Sequence, residues 1–311
     1  MVHPESQNPG LFYIGPRIVL LLIVGMTAFA FSPILVRSVG DTDPFAFAAA
    51  RTVIAVLILL PIWLVRQKKV PSGVFNARNM GNAMLAGIFL GFHFIFWILA
   101  LMNTSIASAS ILVTIHPVIL ILIEAGFMKR VFPALVWMGV MTAFSGSVLL
   151  GYSDSRATGS LFEHALLGDF YALIAAFLFA FYFLVSHRLR QKLDWLNYVF
   201  SVYGATAATC LLVAIVAGSS FPVDRSVWLA GLALAVGPQI LGHGSMNYSV
   251  KYVAPTILAT LILTEPVLAS ILALFIYSEV PPPLTFFAMG IIIAGIAMAW
   301  FTRKKHNLEP D

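Results

Sequence analysis

Glu265 and Pro266 stand together halfway along Thr256–Phe275, TILATLILTEPVLASILALF, a stretch with no other charge. At about 1.5 Å per residue such a stretch spans the apolar core of a bilayer, roughly 30 Å thick, which puts Glu265 near the midplane. A charged side chain at that depth costs about 2.5–3.5 kcal/mol on insertion scales, so it must face a polar cavity, find a partner or carry a proton. Pro266 favours the cavity, because its missing N–H and its ring free carbonyls one turn back. A second stretch repeats the arrangement. Ser105–Leu122, SIASASILVTIHPVILIL, carries His116-Pro117 at its middle, and a shift of 149 residues lays His116-Pro117-Val118 on Glu265-Pro266-Val267, Gly146 on Gly295 and Ala107 on Thr256. Burial disfavours the charged form of both glutamate and histidine, so Glu265 and His116 are suited to exchanging a proton.

Two further stretches hold polar groups where lipid-facing residues would be expected. Ala235–Ser249, AVGPQILGHGSMNYS, places Gln239, His243 and Asn247 on one helical face, while Gly237, Pro238, Gly242 and Gly244 weaken the helix. A break is expected there, with backbone amides left available to a ligand. The counterpart is Gly87–Asn103, where His93 and Trp97 are four residues apart, on one face with Leu90 and Ala100. Trp97 fits a packing role as well as a binding one, and His93 fits a histidine satisfied by a backbone carbonyl. Arg51, about six residues into its hydrophobic stretch, is expected to snorkel toward the extracellular end and pair near Asp41 or Asp43 rather than touch a substrate.

Enzyme signatures are missing. The sequence has no GxxxxGK[ST], HExxH, CxxC or GxSxG, so neither bound ATP nor a nucleophile elbow is indicated. No histidine pair has metal-ligand spacing on one helix, and the single cysteine, Cys210, builds neither a disulfide nor a thiolate cluster. No enzyme activity, cofactor or metal is therefore expected.

The elements that must position these groups follow from composition. The chain has 311 residues, 60% hydrophobic and 10% charged, against about 25% charged in soluble domains. This is the composition of an integral membrane protein with no soluble catalytic domain. Hydrophobic spans are expected at 17–38, 45–66, 79–102, 105–126, 133–152, 168–188, 196–217, 226–249, 256–276 and 283–302, with the third and fourth joined tightly through Asn103-Thr104-Ser105. Connections after the even-numbered spans, with the two tails, hold 14 Lys and Arg, and those after the odd-numbered spans hold 3. The positive-inside rule then puts both termini in the cytoplasm. The net charge of +5 is thus a topology signal, and no nucleic-acid partner is expected.

Residues 1–16 lack a basic n-region and read as a tail. They precede a five-helix repeat over 17–152, a linker over 153–167, a second repeat over 168–302 and a tail over 303–311. An odd number of crossings per repeat inverts one half relative to the other, as in many secondary transporters.

On the Arg51 position, the stretch from Asn103 ending in HPV, the stretch from Ala254 ending in EPV, and Ser278-Glu279, the chain resembles the drug/metabolite transporter superfamily, and within it the EamA family and its YddG-type exporters of aromatic and neutral amino acids. Members commonly carry Gly-Glu before the last helix of each half; here the second half keeps Glu279 and the first has Arg130. The resemblance implies export across a bacterial inner membrane by alternating access. The expected site is His93, Trp97, His116, Gln239, His243, Asn247 and Glu265, with Gln239 and His243 on a substrate carboxylate, Glu265 on its ammonium and Trp97 on its side chain. The expected partners are small molecules, amino acids first, and the lipid bilayer, with either proton coupling through Glu265 and His116 or facilitated diffusion down an amino-acid gradient, and a monomeric carrier. A drug or other metabolite exporter is the nearest alternative; a channel, a membrane enzyme and a scaffold explain the midplane polar groups less well.

Overall fold

The computed structural model describes residues 16–67, 77–127, 129, 131–157, 163–190, 192–221, 224–249, 252, 262, 265–278 and 280–306. Among these the chain is helical: α1 (Pro16–Arg37), α2 (Pro44–Gln67), α3 (Ala77–Asn103), α4 (Ile106–Val113), α5 (His116–Phe127), α6 (Ala134–Ala157), α7 (Ala165–Arg190), α8 (Trp195–Val216), α9 (Arg225–Leu234), a π-helical segment (Ala235–His243), α10 (Gly244–Ser249), α11 (Glu265–Tyr277) and α12 (Pro283–His306). Seven stretches are long and apolar enough to cross a membrane, and 134–150 and 283–298 are shorter apolar helices. Large apolar side chains such as Leu57, Phe144, Leu212, Ile215 and Phe287 stay exposed, which a bilayer satisfies and water does not.

Local chemistry sets the helix starts. Asp43 accepts from Phe45 N and Ala46 N, both at 2.9 Å, and Pro44 occupies the first helical position of α2. Ser105 accepts from Ser108 N at 3.0 Å to open α4, and Asp194 accepts from Leu196 N at 3.1 Å to open α8. The expected span 105–126 is two helices. α4 stops at Val113, Thr114 and Ile115 form a turn, and α5 opens at His116 with Pro117 next, where a missing N–H costs nothing. The expected span 256–276 lies mostly outside the described residues up to 264, but α11 opens at Glu265 with Pro266 in the same second position. The interval expected as a linker is shortened, since α6 runs to Ala157 and α7 begins at Ala165. Glu279 and Arg130 lie outside the described residues.

The 149-residue offset recurs in the backbone. Helices start at 16 and 165, 116 and 265, 134 and 283. Lys129 and Ser278, also 149 apart, both adopt left-handed backbone angles, with φ of 52° and 55°. Packing repeats too. Exchanging α1 with α7, α2 with α8, α3 with α9–α10, α4–α5 with α11, and α6 with α12 carries the α3–α7 contact onto the contact of α1 with the π segment and α10, and α4–α7 onto α1–α11. The pairs α2–α8, α4–α11 and α6–α12 map onto themselves. Gly146 and Gly295, matched by the same offset, sit where α6 and α12 cross. A Cβ on Gly295 would fall 2.6 Å from Gly139 O, and one on Gly146 would fall 2.8 Å from Ile292 Cγ1. The short α3–α4 link is present, yet α3 spends its main faces on α7 and α8 rather than on α4.

Candidate functional site

The bends converge on one cavity. α1 contributes Phe29 and Ser32, α2 Arg51, α3 His93, Phe94 and Trp97, the α4–α5 turn Thr114 and His116, α7 Phe179, the π segment Pro238 and His243, and the start of α11 Glu265. Its volume is about 50 Å3, room for a few waters and well below the roughly 300–1,000 Å3 of a small-molecule site. In this structure the space is smaller than an amino acid.

Hydrogen bonds define the imidazoles. His93 Nδ1 lies 2.8 Å from Ala175 O and His116 Nδ1 lies 3.2 Å from Val113 O. A carbonyl only accepts, so Nδ1 donates in both, and Nε2 of each neutral ring is an acceptor. The backbone bond expected as an alternative for His93 is thus made, and the ring still lines the cavity. Trp97 Nε1 donates to Ser32 Oγ at 3.2 Å, which fixes its ring against α1. Phe179 meets His116 edge-on at 4.5 Å and His93 at 5.0 Å, while His243 packs edge-on against Phe29 at 4.8 Å and beside Phe94 at 5.4 Å. The walls are aromatic, and beside the imidazoles the ionisable groups are Arg51 and Glu265.

Five of the residues selected from sequence, His93, Trp97, His116, His243 and Glu265, line this cavity. Asn247 lies next door. Its Nδ2 donates to Tyr182 Oη at 3.0 Å, and with Tyr182 and Met246 it borders a space of about 20 Å3 that shares Phe29, Phe179, His243 and Ile262 with the main cavity. Gln239 sits behind the wall, 0% exposed, with neither amide atom bonded to a described residue. The stretch around it is not broken but widened. Ala235–His243 is π-helical, Gly244 N closes a wide turn onto Gln239 O, and Tyr203 Oη donates to that same carbonyl at 2.6 Å. Amides that remain bonded within the helix are not available to a ligand, which corrects the expected break.

Arg51 is the residue that sequence reasoning placed elsewhere. It is 1% exposed, with its Cζ 4.2 Å from the Phe94 ring centroid, and it lines the cavity rather than extending toward the Pro44 end of α2. Asp43 is occupied as the α2 cap. The cause is packing: α2 is covered by α8, α9 and the π segment, so the route along which a snorkelling side chain would extend is filled with protein. The signal in sequence was that Arg51 is the one basic residue well inside a hydrophobic stretch.

A lipid-facing helical shell around a polar cavity, bent at two matched X-Pro sites, is the design of a membrane-embedded carrier for small molecules. Residues 16–152 and 166–301 each match the EamA-like transporter family, and the chain belongs to that family. It is 24% identical over 289 residues to the uncharacterized transporter YdfC of Bacillus subtilis, covering 92% of this chain and 91% of that one. It is 25% identical to the pseudopaline exporter CntI of Pseudomonas aeruginosa over 92% of this chain and 96% of that one. It is 28% identical to the aromatic amino acid exporter YddG of Ancylobacter novellus over 69% of this chain and 73% of that one. A crystal structure at 22% identity superposes with a TM-score of 0.64 over 93% of this chain and 98% of that one, showing the shared fold.

Proposed function

We propose that this transporter exports neutral and aromatic amino acids across a bacterial inner membrane by alternating access, acting as a monomer. In this reading the chain crosses the bilayer ten times, with both termini cytoplasmic and its two halves inverted about an axis in the membrane plane. The observation that carries it is the cavity itself, which the Glu265 carboxyl group and the His93 and His116 rings line together with aromatic side chains. A substrate ammonium meets Glu265 and the imidazoles; an apolar side chain meets Trp97, Phe29 and Phe179. His243 and Asn247 border the space on the side of the π segment, and Gln239 supports that wall. Glu265 and His116, at matched bends, provide the route for proton coupling. The relative that exports aromatic amino acids supports this substrate class. The relative that exports pseudopaline supports a second reading, an exporter of other small metabolites or drugs on the same fold.

Uptake of a radiolabelled panel into proteoliposomes tests the proposal. Phenylalanine and leucine are expected to be taken up by counterflow, and Trp97→Ala to weaken phenylalanine more than alanine by about tenfold. Uptake of unrelated metabolites with no amino-acid counterflow would select the second reading, and equal losses for phenylalanine and alanine would remove Trp97 from the side-chain pocket.

A further inference from the structure

Among the described residues, two of the three Arg51 guanidinium nitrogens, Nε and Nη1, are buried without an acceptor. Three polar groups near it are spent on other partners: Thr52 Oγ1 donates to Ala48 O at 2.8 Å, Tyr203 Oη to Gln239 O at 2.6 Å, and Cys210 Sγ to Gly91 O at 3.5 Å. The Phe94 face offsets part of the burial cost but accepts no N–H bond in the guanidinium plane. Glu265 lines the same cavity, yet neither it nor Arg51 is in an ion pair among the described residues. A guanidinium stays charged when buried, and an uncompensated charge in such a place is strongly destabilising. A ligand entering the cavity can supply the missing partner. A planar fork of N–H donors is matched best by a carboxylate, which accepts two parallel bonds and neutralises the charge together.

We propose that Arg51 is a carboxylate-binding residue of the cavity, so that the substrate class is the free acid and not its amide, ester or decarboxylated amine. The proposal rests on the amino-acid reading above and narrows it. With the carboxylate on Arg51 and the ammonium on Glu265, a zwitterion bridges a guanidinium and a carboxyl group that do not pair with each other. It also moves the carboxylate role from Gln239, which does not border the cavity, onto a residue that does. Substrates lacking a carboxylate leave the guanidinium unpaired and are rejected for that reason.

Thermal stabilisation of the purified full-length protein by phenylalanine, phenylalaninamide and 3-phenylpropionate tests this, beside counterflow of phenylalanine. Both acids are expected to stabilise the wild type and the amide to do so about tenfold more weakly. Arg51→Gln should remove the advantage of the acids over the amide, and Arg51→Lys should restore part of it. If 3-phenylpropionate stabilises in an Arg51-dependent way while phenylalanine shows no counterflow, the carboxylate assignment stands and the amino-acid reading falls. The assignment is overturned if the amide stabilises the wild type as well as the acids do, if no carboxylate stabilises it, or if folded Arg51→Gln keeps the preference for acids. The wild-type comparison of acid with amide decides the matter even where Arg51→Gln does not fold.

Discussion

The two halves of the chain share a backbone plan and differ in what they place at matching points. α5 opens with His116 and α11 with Glu265; α2 carries Arg51, and α8, its counterpart, has no basic residue from Trp195 to Val216. α3 is α-helical throughout, and its counterpart relaxes into a π segment between α9 and α10. The features that agree are those that bend or join helices: the X-Pro starts, the left-handed residues Lys129 and Ser278, and the glycines at the α6–α12 crossing. The features that differ face the cavity. A symmetric frame allows two related conformations of similar energy, while a site that is cationic on one half and anionic on the other fixes which way round a dipolar ligand lies.

The charge asymmetry gives the largest expected effect. Glu265→Gln keeps the shape of the side chain and removes its charge, so amino-acid counterflow should fall by more than about tenfold and its response to an imposed pH gradient should vanish. His116→Gln, at the matched bend of the other half, should cost less, because His116 already spends its Nδ1 on Val113 O and a glutamine amide can also donate to that carbonyl. Equal losses from the two variants would break the comparison. Unchanged rate and unchanged pH response in Glu265→Gln would remove both the ammonium contact and proton coupling through this residue.

Most of this frame was legible in the sequence, because it rests on a length scale and a repeat. Hydrophobic stretches of bilayer length, X-Pro pairs 149 residues apart and Gly146 over Gly295 are one-dimensional signals that survive folding unchanged. Local softness was legible too, but not its outcome. Glycines and Pro238 marked 235–249 as a weak helix, and whether such a segment breaks or widens depends on Tyr203 arriving from α8 to take a carbonyl. Arg51 was misread for a related reason. Snorkelling is inferred from the distance to the end of a span, whereas the direction of the side chain is set by α3, α8 and the π segment packed around α2. The aromatic walls, Phe29, Phe94 and Phe179, were hidden among 25 phenylalanines that look alike in composition.

The glycine pair sharpens the comparison at an intermediate scale. A methyl on Gly295 would meet backbone, Gly139 O at 2.6 Å and Ala143 Cα at 2.9 Å, which moves only if the helices separate. A methyl on Gly146 would meet side-chain atoms first, Ile292 Cγ1 at 2.8 Å and Ile291 Cγ2 at 3.0 Å, which can turn aside, and one backbone atom, Ile292 N, at 3.0 Å. Gly295→Ala is therefore expected to destabilise by about 1–3 kcal/mol and Gly146→Ala by less, read as thermal melting in detergent. The reverse order would mean that the α6–α12 crossing is held by side chains and not by backbone contact.

The smallest effect separates α3 from its widened counterpart. Gln239 O has two donors, Gly244 N across the wide turn and Tyr203 Oη from α8, so Tyr203→Phe removes one bond without leaving the carbonyl bare. The expected cost is about 1 kcal/mol in a melting experiment, typical of one hydrogen bond between neutral groups. Its location is more telling than its size. Faster amide hydrogen exchange should be confined to Ala235–His243, with α3 unchanged, because the Tyr203 hydroxyl bonds a carbonyl of the widened segment. If exchange stays the same in both helices, the π turn is held by its own backbone and by Pro238, and Tyr203 only fills space behind the cavity wall.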